Sequence, residues 1–145
     1  MQTQELKTIK TINAPIEKMW EVWTNPDHLA KWWGPNGFTN TIHQMDLKKG
    51  GEWKMTMHGP DGTNFPNRSV FLEIIPQEKI VFEHFNPHFI TTVRFESVDS
   101  GTKIEWSMLF DSTEMYEIVV KAHKADEGQK QNLEKLEKYI SDLNN

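Results

Sequence analysis

Apolar and polar positions alternate with a period of two through the middle of this chain, and recur at helical spacing only toward its two ends. The first alternation sets Leu6, Thr8, Lys10 and Ile12 against Lys7, Ile9 and Thr11, and predicts a strand over Leu6–Ile12. Asn13 is then placed to cap a helix with Pro15 in its first turn. Ile16, Met19, Trp20 and Trp23 follow helical spacing, so this helix lays one apolar face on a sheet. Asn25-Pro26 ends it. Asp27–Trp33 reads as a second short helix with Leu29, Trp32 and Trp33 inward, broken by Gly34-Pro35-Asn36-Gly37.

From Phe38 to Phe110 the pattern is that of strands. Phe38–Met45 reads as an edge strand, and Gly50-Gly51 turns into Glu52–His58, with Trp53, Met55 and Met57 on one face. Gly59-Pro60-Asp61-Gly62 is a hairpin turn leading to Arg68–Ile75, which stops at Pro76. Lys79–Phe85 sets Ile80, Phe82 and His84 against Val81, Glu83 and Phe85, and Asn86-Pro87-His88 turns. Phe89–Val98 and Thr102–Phe110 form a last hairpin around Asp99-Ser100-Gly101. Ser112 is placed to cap a helical region in which Leu133, Leu136, Ile140 and Leu143 make an apolar stripe, with Val119, Ala122, His123 and Asp126 near the same face. Successive strands joined by tight turns predict an antiparallel meander, with the amphipathic C-terminal helix as its cover and a cavity between the two. The expectation is one α+β domain over residues 1–145, with six or seven strands.

Composition narrows the function classes. The chain has 145 residues, no cysteine and a net charge of -5, so disulfides, cysteine–zinc sites and thiol nucleophiles are excluded. The acidic balance, with basic residues interspersed among acids, speaks against nucleic acid as the partner. A mean hydropathy of -0.66 and the lack of any long apolar run speak against stable membrane insertion. Met1–Glu5 lacks the apolar stretch of a signal peptide, so a cytoplasmic address is expected.

Several motifs together carry a resemblance. They are Asn13-Ala14-Pro15, Trp20 with Trp23, Asn25-Pro26, Trp32-Trp33-Gly34-Pro35, Gly50-Gly51, Gly59-Pro60-Asp61-Gly62, Glu73-Ile74-Ile75-Pro76 and Thr91-Thr92-Val93-Arg94-Phe95-Glu96. From Ile9 to Ile140 the chain resembles the START-related helix-grip superfamily of polyketide cyclases and lipid-transfer proteins. The branch it resembles is the one named for activators of the heat-shock protein 90 ATPase. The resemblance implies a seven-stranded antiparallel sheet wrapped around a C-terminal helix. It also implies an apolar small molecule as partner, with polyketide cyclisation or hydrolysis and chaperone binding as activities of some relatives. Two positions depart from the family pattern: His84, where relatives often carry Trp, and Gly128-Gln129, where they often carry Gly-Trp. Both replace apolar bulk with polar groups.

The residues expected to line the cavity are Trp32, Trp53, Met55, Phe82, His84, Phe95, Trp106, Met108 and His123. The aromatic and methionine side chains would supply apolar contact, and His84 and His123 hydrogen bonds. The leading reading is non-covalent binding of a small hydrophobic or amphipathic molecule, with no cofactor and no metal. His84 and His88 lie four apart on a strand and turn, which does not set both rings on one face as a zinc helix does. Two alternatives stay open. One is a cyclase- or hydrolase-type enzyme with His84 or Asp126 as general base, which needs two titratable groups converging from His84, His123, Asp126, Glu73 and Arg94. The other is a chaperone-interacting module with a filled interior and an exposed apolar patch. A homodimer or another protein partner is left open as well.

Overall fold

The computed structural model describes residues 4–85, 88–122 and 124–143. Strand β1 (Glu5–Ile12) leads into helices α1 (Ile16–Thr24) and α2 (Pro26–Trp32). Six strands follow: β2 (Thr39–Met45), β3 (Glu52–His58), β4 (Asn64–Ile75), β5 (Lys79–His84), β6 (Phe89–Val98) and β7 (Gly101–Phe110). The chain ends in a short α3 (Thr113–Tyr116), a wider π-helical turn (Glu117–Ala122) and the long α4 (Ala125–Leu143).

All seven strands form one antiparallel sheet in the order β1-β7-β6-β5-β4-β3-β2, so the first strand closes against the last. The β1–β7 register sets Leu6 beside Met108 and Thr8 beside Trp106. Register shifts between Ile42 and Gln44, and between Phe71 and Glu73, add a residue on one side of a ladder and bend the strands. The sheet curls, and its concave face takes α1 and α4. Along β7 every second residue from Thr102 to Phe110 is buried.

The local chemistry departs from the sequence reading at a few points. Pro15, not Asn13, is the N-cap of α1, and no side chain caps that helix. The Asx cap belongs to α2, where the Asn25 side chain accepts from the Asp27 N–H and Pro26 fills the first turn. Ser112 caps α3 as expected, accepting from the Met115 N–H at 3.1 Å. Strand β4 starts at Asn64, earlier than Arg68, although it contains Pro66. Pro66 pairs only with β3, because β5 does not join β4 until Ser69, so the missing N–H faces no ladder. Leu143 is 40% exposed and falls off the apolar stripe that Leu133, Leu136 and Ile140 make. Val120 is buried where Val119 is only partly so.

One end of the interior is solid. Met19, Val22, Leu29, Trp32, Ile104, Leu133, Leu136 and Ile140 are each 1% exposed or less. The Trp23 ring stands edge-on to Trp32 at 4.7 Å and to Phe95 at 5.7 Å. The Trp32 N–H donates to the Val22 carbonyl at 3.0 Å, tying α2 to the end of α1. Two further ties hold α4 in place: a hydrogen bond between His28 Nδ1 and the Tyr139 hydroxyl (2.6 Å), and an ion pair from Lys10 to Glu137 (3.3 Å). Among the described residues no helix is long and apolar enough to cross a membrane.

Candidate functional site

The other end of the interior is hollow. Between the first turns of α4 and the curled sheet lies a cavity of about 270 Å³, at the small end of ligand pockets, which run roughly 300–1,000 Å³. Strands β3, β5, β6 and β7 give its apolar wall: Trp53, Met55 and Met57, then Phe82, Phe89, Trp106 and Met108. Trp33, Gly34 and Pro35 form the rim beside α2, and Ala125, Gly128, Gln129 and Asn132 the side made by α4.

The rim exists because α2 stops one residue early. Trp32 ends the helix, and Trp33 turns extended (φ -67, ψ 142), so Trp32 is buried in the core and Trp33 lines the cavity, the two rings edge-on at 5.6 Å. Trp33 stacks on Trp106 (5.4 Å, 28°) and meets Trp53 edge-on at 5.2 Å. Gly34 follows at φ +96, a conformation that favours glycine, and a Cβ there would meet the Met57 methyl, the end of a flexible side chain, at 2.9 Å. The rim loop is hung from α4. Lys135 donates to the carbonyls of Pro35 (3.2 Å) and Phe38 (3.3 Å), and the Asn36 N–H donates to Gln131 Oε1 (3.1 Å). Burial lowers the Lys135 pKa from its ordinary value.

Polar groups enter the wall at two places. From the sheet come Asn67, Ser69, His84 and Thr91. Asn67 donates its Nδ2 to the Phe65 carbonyl (2.9 Å), which leaves its Oδ1 facing His84 Nε2 at 2.8 Å. That network assigns a proton to Nε2 of His84. The imidazole lies flat on Phe89 (4.5 Å, 9°). From α4 come Gln129 and Asn132, three residues apart on one face and 3% and 5% exposed. The Thr8 hydroxyl of β1 donates to Gln129 Oε1. Four buried polar atoms of lining residues have no hydrogen-bond partner: Trp53 Nε1, Trp106 Nε1, Gln129 Nε2 and Asn132 Oδ1. No Lys, Arg, Asp or Glu lines the cavity among the described residues.

Of the residues expected there, Trp53, Met55, Phe82, His84, Trp106 and Met108 line this cavity. Trp32 does not: it is wholly buried in the solid end, with its N–H committed to Val22. Phe95 does not either; it lies farther along β6, under Trp20 (5.5 Å) and Trp23 (5.7 Å) of α1. His123 lies outside the described residues. The sequence reading left out Asn67, Ser69, Thr91 and Asn132 altogether, and the signal for the α4 pair was a polar i, i+3 step within a charged helix.

Among the described residues, Glu73, Arg94 and Asp126 do not join His84 in the cavity wall. Glu73 is exposed and paired with Lys79 at 2.8 Å, and Arg94 is exposed on the outer face of β6. Asp126 does not line the cavity. His88 engages Glu83 (2.6 Å) and Asp111 (2.8 Å), apart from the His84–Asn67 pair. The hydrogen bond from Glu83, then that from Asp111, raises the His88 pKa above its ordinary value.

The fold recurs in solved structures of low sequence identity. A protein from Nitrosomonas europaea is 20% identical, with a TM-score of 0.89 over 99% of this chain and 98% of its own. One from Arthrobacter aurescens is 21% identical, with a TM-score of 0.90 over 97% of this chain and 87% of its own. The AHSA1-like protein from Aeromonas hydrophila is 20% identical, with a TM-score of 0.80 over 97% and 94%. Among curated proteins no sequence matches. The family described as Activator of Hsp90 ATPase homolog 1-like protein matches residues 13–141, nearly the whole helix-grip fold. This chain is a member of that family.

Proposed function

We propose that the cavity holds a small hydrophobic or amphipathic molecule by non-covalent contacts. The observation that carries this reading is the hollow itself, kept open in a domain whose other end is filled to 1% exposure or less at eight side chains. At roughly 24 cal/mol per Å³, a dry void of this size forgoes several kcal/mol, a large part of the 5–15 kcal/mol that holds a domain folded. Tryptophan, phenylalanine and methionine walls with a few placed polar groups are the ordinary make-up of a ligand pocket. The Nε2 of His84 faces the Asn67 carboxamide, and no Lys, Arg, Asp or Glu lines the cavity among the described residues. That favours binding over acid–base turnover, which calls for a matched pair of titrating groups. A cytoplasmic setting is part of the reading.

Native mass spectrometry of protein purified from its own host, followed by denaturing extraction, tests it. The expected result is a stoichiometric small molecule released on denaturation. A bare chain, with tryptophan fluorescence unmoved by apolar probes, would overturn the reading and favour the chaperone-interacting alternative that the family's name carries.

A further inference from the structure

Resting on that reading, we propose that the bound molecule is uncharged and flat. It carries a hydrogen-bond acceptor oxygen that the indole N–H groups of Trp53 and Trp106 and the amide of Gln129 recognise. Six buried side-chain polar atoms among the described residues lack a partner, and four of them belong to residues lining this one cavity. The other two, on Trp23 and Asn40, lie away from it. Buried donors and acceptors are nearly always satisfied in native proteins, so a cluster of exceptions around a hollow marks what the hollow is missing. The four atoms belong to residues of β3, β7 and α4 that line one cavity.

Their chemistry is lopsided. Trp53 Nε1, Trp106 Nε1 and Gln129 Nε2 donate, and only Asn132 Oδ1 accepts. The Thr8 hydroxyl already occupies Gln129 Oε1, which leaves the NH₂ end of that amide for a guest. A ketone, ester or ether oxygen answers the donors, and a hydroxyl would answer Asn132 as well. Charge is disfavoured in both signs. An anion would find no Lys or Arg in the wall, and the nearest α4 cation, Lys135, is spent on the Pro35 and Phe38 carbonyls. A cation would meet donor hydrogens and no carboxylate. Flatness is favoured by a wall made largely of aromatic rings, those of Trp33, Trp53, Phe82, Phe89 and Trp106.

Equilibrium dialysis against three naphthalenes of one shape tests this. β-Acetylnaphthalene carries the acceptor, β-isopropylnaphthalene lacks it, and β-naphthoate is ionised at about pH 8, where an ordinary histidine is neutral. The wild-type protein should bind the ketone about tenfold or more tighter than either of the others, because a site built to hydrogen-bond leaves its own groups unpaired with the wrong guest. Trp106→Phe and Gln129→Leu should each narrow the ratio of ketone to hydrocarbon affinity by about tenfold. Circular dichroism checks that each variant is folded, and Gln129→Leu carries the test if Trp106→Phe is not. Equal binding of ketone and hydrocarbon by the wild type would leave the cavity reading standing and sink the acceptor proposal. Preference for naphthoate would overturn the claim of neutrality. Binding of none of the three would overturn both readings together.

Discussion

The two ends of the interior are built from the same strands and the same helix, yet one is packed and the other is empty. At the solid end α4 contributes Leu133, Leu136 and Ile140, and α1 lies on the sheet with Met19, Val22 and Trp23. At the hollow end α4 contributes Ala125, Gly128, Gln129 and Asn132, which are small or polar, while α1 touches this region through Trp23, edge-on to Trp106 at 5.6 Å, without lining the hollow. The difference teaches that the cavity is written in the side chains of one helix rather than in the sheet. Tryptophan is present at both ends, its N–H bonded at Trp32 and unpartnered at Trp23, Trp53 and Trp106.

The contrast can be broken most forcefully by truncation. Leu136→Ala should cost about 3–4 kcal/mol, and Met55→Ala, which only enlarges an existing hollow, about 1–2 kcal/mol, both read from urea unfolding. Equal losses would mean that the hollow end bears load as the solid end does. Removing an indole N–H sharpens the point. Trp32→Phe strands the Val22 carbonyl and opens a void, for about 2–3 kcal/mol, whereas Trp106→Phe discards a donor that had no partner, for about 1 kcal/mol or less. Gly128→Ala should stabilise by about 0.5–1 kcal/mol in a melting curve, since glycine is a poor helix residue. The new Cβ finds only Pro35 Cβ at 3.8 Å. A loss of stability there would show that the mouth is tighter than its geometry.

The smallest effect concerns pH. His88 is clamped between Glu83 and Asp111 beside the β5–β6 turn, next to the strand end that carries His84, and its pKa is raised. Its contribution to stability is therefore fully present below the ordinary histidine range near about 6.5. It is lost as pH rises through the elevated folded value. His88→Gln should flatten that dependence of the urea midpoint, by a modest amount because the ring is largely solvated. An unchanged pH profile would show that the clamp is not what holds this turn.

Much of this could be read from the chain because the sheet depends on alternation, which sequence displays. The antiparallel meander followed from period-two runs and turn residues, and the count of seven strands from the family resemblance. What escaped was decided by single-residue offsets. Reading α2 as far as Trp33 put both tryptophans inward, and the true stop at Trp32 sends one to the core and its neighbour to the cavity rim. Asn67 was missed because the strand was read as starting at Arg68, whereas the staggered start of β5 lets β4 begin at Asn64 and carry Pro66. Gln129 and Asn132 sit among alternating charges, and their burial depends on the curl of a sheet that no local pattern encodes.

The pairing of β1 with β7 has a consequence for how the molecule is made. Strand β1 cannot form its ladder until β7 has been synthesised, since Glu5 pairs with Leu109 and Ile12 with Thr102. Through that interval β1, α1 and α2 wait with Trp20, Trp23 and Trp32 uncovered, while β2 to β6 can already build hairpins between neighbours. Long-range closure of this kind slows folding and exposes apolar surface to aggregation. The nascent chain is therefore at its most vulnerable late in translation, and completion of β7 is the event that ends the danger.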